Sequence, residues 1–187
     1  MTTDALGLPL SGSNESSRQA YQAGLDQLRC YQGDPLAAAD QAVSASPAMT
    51  MAHALRAWLN LLGTEPAGWA AARQACAQAA GLPATEREAL HLQAAERLAH
   101  GHWSQAARLL EDLSVRWPRD LLALQVGHQL DFFTGDARML RDRIARARPH
   151  WDAGMPGYHA VLGMHAFGLE ETSRDAQAER AGGQTGA

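Results

Sequence analysis

The chain has no lysine, and all 16 of its basic residues are arginines. Its two cysteines, Cys30 and Cys76, do not form a CxxC motif, so nothing indicates a disulfide framework or a zinc knuckle. Aromatic residues make up only 6% of the sequence. The net charge of -4 is modest for 187 residues and predicts no general attraction to nucleic acid or to an anionic membrane.

Signals for secretion and for membrane insertion are also missing. Residues 1–17 have neither the basic start nor the apolar stretch of a secretory signal. No later segment approaches the roughly 18 consecutive apolar residues that indicate a membrane span. We therefore expect a cytoplasmic protein with no membrane partner.

Alanine, in contrast, is abundant, while glycine and proline lie mostly at the ends of segments with helical periodicity. This composition favours closely packed helices and predicts an all-α fold. Start signals are clear, including Asp34 followed by Pro35 and a capping box formed by Thr85 and Glu88. The main predicted helices span about 14–31, 35–46, 48–62, 66–80, 86–100, 103–117, 121–133, 137–147 and 157–171, with a loop at 149–156.

Two stretches of the chain resemble each other at a spacing of 34 residues. The matched pairs are Leu90 with Leu124, Gly101 with Gly135, Ala106 with Leu140, and Leu110 with Ile144. This period is typical of the tetratricopeptide helix–turn–helix unit. One such helix pair cannot bury its apolar face alone, so the copies must stack. The repeat therefore predicts an α-solenoid of antiparallel helix pairs.

The repeat also suggests where the domain and its repeats begin and end. We expect a flexible N-terminus at 1–13, a single helical-repeat domain at 14–180 and a disordered tail at 181–187. Within the domain, the clearest repeats are 87–118 and 121–149, and a partial repeat starts at 159. The second helix of that partial repeat has room for only about two turns. An uncapped end of this kind exposes apolar surface and can mediate self-association.

Several short strings occur in one order along nearly the whole chain. They are LPLS at 8–11, SNE at 13–15, MAH at 51–53, LGT at 62–64, REALH at 87–91, DLLAL at 120–124, RD at 141–142, IAR at 144–146 and GLEET at 168–172. In these strings the chain resembles the amino-terminal part of the tetratricopeptide repeat protein 38 family, whose members are much longer. The resemblance implies stacked helix pairs, a scaffold or protein-interaction role without an established reaction, and a truncated form of a longer protein.

In tetratricopeptide repeats, the first helix of each pair lines the concave surface. The matching positions here include His91, Gln125, Gln129 and Phe132. We predict that they line a groove for a protein or peptide partner, in which the glutamines bond an extended backbone and Phe132 is an apolar anchor. The alternative is that they pack against the flanking amino-terminal helices. No lysine or arginine occurs at these positions, which argues against a clamp for a terminal carboxylate.

A second hypothesis is a helical enzyme or metal-binding domain centred on histidines. Glu88 and His91 lie three residues apart, and His128 lies in the next repeat. Carboxylate-bridged metal sites in helical bundles use two Glu-x-x-His pairs, of which one is present, and His165 near Glu170 is a weaker candidate. Histidines buried in the core are the alternative. No serine, cysteine or lysine stands beside a plausible base, so covalent catalysis has no candidate nucleophile. We predict no enzyme, cofactor or metal.

Arginines also recur along the eighth predicted helix, at positions 138, 141, 143, 146 and 148. Such a stripe could bind RNA or an acidic partner. The alternative is a solvated outer face paired with nearby acids. Because no aromatic residues are interleaved for base stacking, we predict no nucleic-acid partner.

Overall fold

The computed structural model describes residues 2–172. This part of the chain is all-α apart from a small hairpin and has nine α-helices, which confirms the helical class and each helix of the list above. The helices are α1 (Glu15–Cys30), α2 (Pro35–Ala45), α3 (Thr50–Leu62), α4 (Pro66–Ala79), α5 (Glu86–Ala99), α6 (Trp103–Arg116), α7 (Leu121–Phe133), α8 (Ala137–Ala147) and α9 (Tyr158–Glu170). A short 3-10 helix at Arg148–His150 starts the predicted loop between α8 and α9.

Side-chain caps fix where several of the helices begin. Asp34 accepts a hydrogen bond from the Ala37 amide at 2.9 Å, and Pro35 follows it as the first residue of α2. Asp120 caps α7 in the same way: its side chain accepts a hydrogen bond of 3.0 Å from the Ala123 amide. Because these caps satisfy amides that the helix itself cannot, the sequence signals predict the helix starts closely.

The described residues divide into two compact units, and the boundary falls inside α6, between Leu109 and Leu110. The single helical-repeat domain expected over 14–180 stays a prediction. In the first unit α1 packs against α2, α3 packs against α4, and α5 packs against both α3 and α4. In the second unit α8 packs between α7 and α9. Sequential helix pairs of this kind are consistent with a repeat-like arrangement.

Small residues allow the helices to approach closely within each unit. In the first unit, Ala39 of α2 and Ala52 and Ala57 of α3 have no exposed surface, and neither has Trp58. In the second, a methyl group at Gly168 of α9 would lie 2.7 Å from the Cα of Arg141 in α8. The abundance of alanine noted in the sequence therefore serves helix packing.

The segment before α1 contains a small β-hairpin. Two short strands, β1 (Thr2–Thr3) and β2 (Pro9–Leu10), pair antiparallel, and Leu10 is fully buried. Gly12 then turns the chain with φ of +71° beside α3, where a Cβ atom would lie 1.9 Å from the carbonyl oxygen of Ala48. Only glycine fits this turn without strain, and no helical or strand periodicity marks it in the sequence.

Two other expectations concern the chain's ends and its relation to membranes. The predicted tail at 181–187, and the part of the partial repeat beyond 172, lie outside the described residues. Within residues 2–172 no helix is both long enough and apolar enough to cross a membrane.

Candidate functional site

His91, the first of the predicted groove residues, is buried in the first unit. Its side chain, on α5, has no exposed surface, and its Nδ1 atom accepts a hydrogen bond of 3.2 Å from the indole nitrogen of Trp58. Because an indole N–H can only donate, Nδ1 of His91 carries no proton and the tautomer is fixed. His91 is therefore a buried histidine bonded to α3, as in the alternative in which these residues pack against the amino-terminal helices.

The three predicted groove residues of α7 differ in their exposure. Gln125 is only 6% exposed and belongs to the core of the second unit. Gln129 is partly buried, and its Oε1 atom has no hydrogen-bond partner among the described residues. Phe132 is 50% exposed. The structure thus leaves Phe132, flanked by Gln129, as the part of the predicted groove that a partner can reach.

Phe132 belongs to a larger aromatic surface that the sequence analysis did not identify. Its ring centroid lies 6.1 Å from that of Phe133, which is 43% exposed, and 5.6 Å from that of Phe167 on α9. Both pairs are tilted, a favourable arrangement for aromatic rings. We call Phe132, Phe133 and Phe167 the phenylalanine patch. The adjacent phenylalanines near Gly135 were a sequence signal for its first two members.

Glu88, the carboxylate of the metal hypothesis, is bonded to the N-terminal segment. Its carboxylate accepts hydrogen bonds from the amide and hydroxyl of Ser11, at 2.8 and 2.6 Å, and from the amide and hydroxyl of Thr85, at 2.7 and 3.0 Å. Next to it, the buried Arg87 donates to the carbonyl oxygen of Pro9 at 2.6 Å. We call Pro9, Ser11, Thr85, Arg87 and Glu88 the N-terminal clasp. Three of the four hydrogen bonds that Glu88 accepts go to Oε2, and one goes to Oε1.

His128 is also held within its own unit. It is 7% exposed, and its Nε2–H donates to the carbonyl oxygen of Met164 at 3.0 Å. Its ring lies 5.8 Å from that of Phe167, centroid to centroid. Burial lowers the pKa of His128 to about 4, and the nearby positive charge of Arg143 acts in the same direction. Among the described residues, no three His, Cys, Asp or Glu side chains are grouped to hold a metal ion.

The buried imidazole of His128 predicts a loss of stability in mild acid. Its pKa is about 4 in the folded chain and about 6.5 in the unfolded chain, so protons favour unfolding as the pH falls below 6.5. From pH 7 to pH 4.5 we expect this group to remove about 2.5 kcal/mol of unfolding free energy. Urea titrations at pH 7 and at pH 4.5 measure the two unfolding free energies.

The matched variant for that measurement is His128→Gln, whose amide can still donate to the carbonyl of Met164. It should lose about 2.5 kcal/mol less than the wild type over the same interval. The partly buried His165, whose pKa is also lowered by burial, is common to both proteins and cancels in the comparison. Equal losses of unfolding free energy in the wild type and in His128→Gln would contradict the assignment of this pH dependence to His128.

The arginines of α8 are mostly engaged within the second unit. Arg143 is buried and holds Asp131 through two hydrogen bonds, Nε to Oδ2 at 2.8 Å and Nη2 to Oδ1 at 3.0 Å. Arg146 pairs with Glu111 at 3.0 Å, and Arg141 pairs with Asp142 at 2.6 Å. These pairs support the alternative of a face paired with acids, and Arg143 is not on a solvated face at all.

No protein-family model matches the chain, and no solved structure matches it significantly. The resemblance of its sequence strings to the tetratricopeptide repeat protein 38 family therefore stays a prediction. What the geometry adds is local: a buried polar anchor at Glu88, a buried ion pair at Arg143, and one exposed aromatic surface on α7 and α9.

Proposed function

We propose that this chain is a tetratricopeptide-like protein-interaction module that binds a protein or peptide partner through the phenylalanine patch. The observation that carries the proposal is the exposure of two adjacent aromatic rings, Phe132 at 50% and Phe133 at 43%. Large apolar side chains that lie together on a surface are typical of interaction sites, and buried aromatic residues contribute most to binding energy.

Gln129 supports the same proposal from the previous turn of α7. Its unpartnered Oε1 atom lies one turn before Phe132 and Phe133 on the helix. A buried acceptor without a donor raises the free energy of the unbound protein. A backbone N–H from a bound segment would satisfy this acceptor after rotation of the amide, while the partner's apolar side chains cover the two rings.

Binding of a partner is tested by affinity capture with the tagged chain, followed by titration of the purified partner. The variant Phe132→Ser/Phe133→Ser should weaken binding at least about tenfold, because it removes both aromatic anchors. Gln129→Ala should weaken binding by a smaller factor. The matched control is Val115→Ser, since Val115 is 58% exposed and apolar but lies outside the patch.

Two results would contradict the proposal. One is a folded Phe132→Ser/Phe133→Ser variant that binds the captured partner as tightly as the Val115→Ser control does. The other is concentration-dependent self-association in sedimentation that this double variant abolishes, because the patch would then join copies of the chain instead of holding a different protein.

A further inference from the structure

The phenylalanine patch lies where two helices end side by side. His128 of α7 donates to the carbonyl oxygen of Met164 in α9 at 3.0 Å, and about one turn further along both helices the ring centroids of Phe132 and Phe167 lie 5.6 Å apart. The contacts advance in the same direction along the two helices, so α7 and α9 run parallel. Their C-terminal ends therefore lie together at one end of the second unit.

Two carboxylates follow the patch on α9. Glu170 and Glu171 come three and four residues after Phe167, and the amide of Glu171 donates to the carbonyl oxygen of Phe167 at 3.0 Å. Helical residues at these spacings share a face, and their side chains lean towards the N-terminus, so both carboxylates border the Phe167 ring. Both residues are exposed, and neither side chain forms an ion pair within residues 2–172.

The backbone adds negative charge at the same place. The C-terminal end of a helix carries about half an elementary negative charge, and both α7 and α9 end beside the patch. The positive end of α8 begins nearby, but the carboxylate of Asp136 caps it by accepting a hydrogen bond of 3.0 Å from the Met139 amide. The electrostatic potential beside the patch therefore favours cations.

The arginines at the start of α8 do not reverse this balance. Arg141 pairs with Asp142 at 2.6 Å. The hydrogen bond from Arg141 lowers the pKa of Asp142, and the charge of Arg138 acts in the same direction. These two arginines thus act on a carboxylate of their own helix. In the part of the chain that the structure describes, the two carboxylates of α9 have no such counter-charge.

Resting on the proposed function, we infer that the partner of the phenylalanine patch is a basic segment, in which arginine or lysine side chains flank large apolar residues. The apolar residues cover Phe132 and Phe133, and the cations reach Glu170 and Glu171. Each exposed ion pair contributes little affinity, but complementary charge raises the association rate and disfavours partners of the wrong sign. An acidic segment with the same apolar residues is therefore a poor partner.

Three blocked hexapeptides test the charge of the partner. Each has leucine and phenylalanine at its centre, flanked on both sides by two arginines, two glutamines or two glutamates. Titration into the isotopically labelled chain, followed by NMR signals of the Phe132 and Phe133 rings, gives the affinities. We expect the arginine peptide to bind about three- to tenfold more tightly than the glutamine peptide in about 20 mM salt, and the glutamate peptide to bind most weakly. The difference should largely disappear in about 500 mM salt.

The failure of this inference differs from the failure of the proposed function. A glutamine peptide that shifts the two ring signals with the same affinity as the arginine peptide would overturn the basic partner and leave the patch as an interaction surface. The absence of any shift with all three peptides would count against both.

Two matched double variants locate the source of the charge preference. Glu170→Gln/Glu171→Gln should bind the arginine and glutamine peptides equally. Glu96→Gln/Asp112→Asn removes two exposed carboxylates on α5 and α6 instead and should keep the preference for arginine. A preference that survives in the first variant would overturn the inference. Concentration-dependent sedimentation of the chain alone that Glu170→Gln/Glu171→Gln abolishes would also overturn it, because the patch would then hold a second copy of the chain.

Discussion

Replacing Arg143 with methionine destabilises the fold by about 3–5 kcal/mol, because it leaves the buried carboxylate of Asp131 without its counter-charge. The side chains of Arg143 and Asp131 are 0% and 3% exposed and form a bidentate pair. The third interaction of this guanidinium, from Nη1 to the hydroxyl of Ser114 at 3.2 Å, is lost as well. Denaturant unfolding at pH 7 measures the change.

The matched control is Arg146→Met on the same helix. Arg146 pairs with Glu111 at 3.0 Å, but both side chains are more than a third exposed, at 46% and 36%. Water and salt screen an exposed pair, so this variant should change the unfolding free energy by less than about 1 kcal/mol. Similar losses in Arg143→Met and Arg146→Met would contradict the assignment of the buried pair.

Two further measurements separate the buried charge from ordinary packing. Burial already raises the pKa of Asp131, against the opposing effect of Arg143. Without Arg143 the carboxyl of Asp131 takes up a proton more readily. The difference in unfolding free energy between the wild type and Arg143→Met should therefore shrink as the pH is lowered from 7 to 5. The double variant Asp131→Leu/Arg143→Met should recover most of the lost stability, because no unpaired charge then stays in the core.

The helices of this chain could be predicted well from the sequence because their ends are encoded locally. The Asp34–Pro35 start and the Asp120 cap each act on amides three residues away, so the signal and its effect lie within one turn. The hairpin at Thr2–Leu10 could not be predicted in the same way. The contacts that hold it are distant in sequence: Arg87 donates to Pro9, and Glu88 accepts from Ser11, which lies 77 residues earlier in the chain.

Which residues of the candidate site are exposed could not be predicted from the sequence either. Helical periodicity places Gln125, Gln129 and Phe132 on α7 correctly, but exposure depends on what packs against each of them. Gln125 is buried, Gln129 is partly buried and Phe132 is half exposed. His91 and Arg143 are further cases. Polar residues at regular spacing suggest a surface, whereas here a Trp58 indole and an Asp131 carboxylate provide buried partners. A pattern along one helix does not reveal such partners on another.

Replacing Glu88 with alanine should cost about 4 kcal/mol, because four hydrogen bonds to a buried carboxylate are lost together. Glu88 itself is fully buried, and so is most of Ser11. The donors left behind on Ser11 and Thr85 lose a charged acceptor that water cannot replace while the segment stays packed. We therefore expect the N-terminal hairpin to detach from α5 before the rest of the first unit unfolds.

Amide hydrogen exchange distinguishes this local effect from general destabilisation. In Glu88→Ala the amide of Ser11 should exchange much faster than in the wild type, while amides in the middle of α3 keep most of their protection. Glu96→Ala is the matched control, since Glu96 is an exposed residue of the same helix and should change neither stability nor exchange. Glu88→Gln keeps one acceptor oxygen and should fall between the two. If the Ser11 amide exchanged at the same rate in all three variants, the carboxylate could not be what holds the N-terminal segment. Its other hydrogen bonds, such as those from Arg87 to Pro9 and from Ser46 to Gly12, would hold it instead.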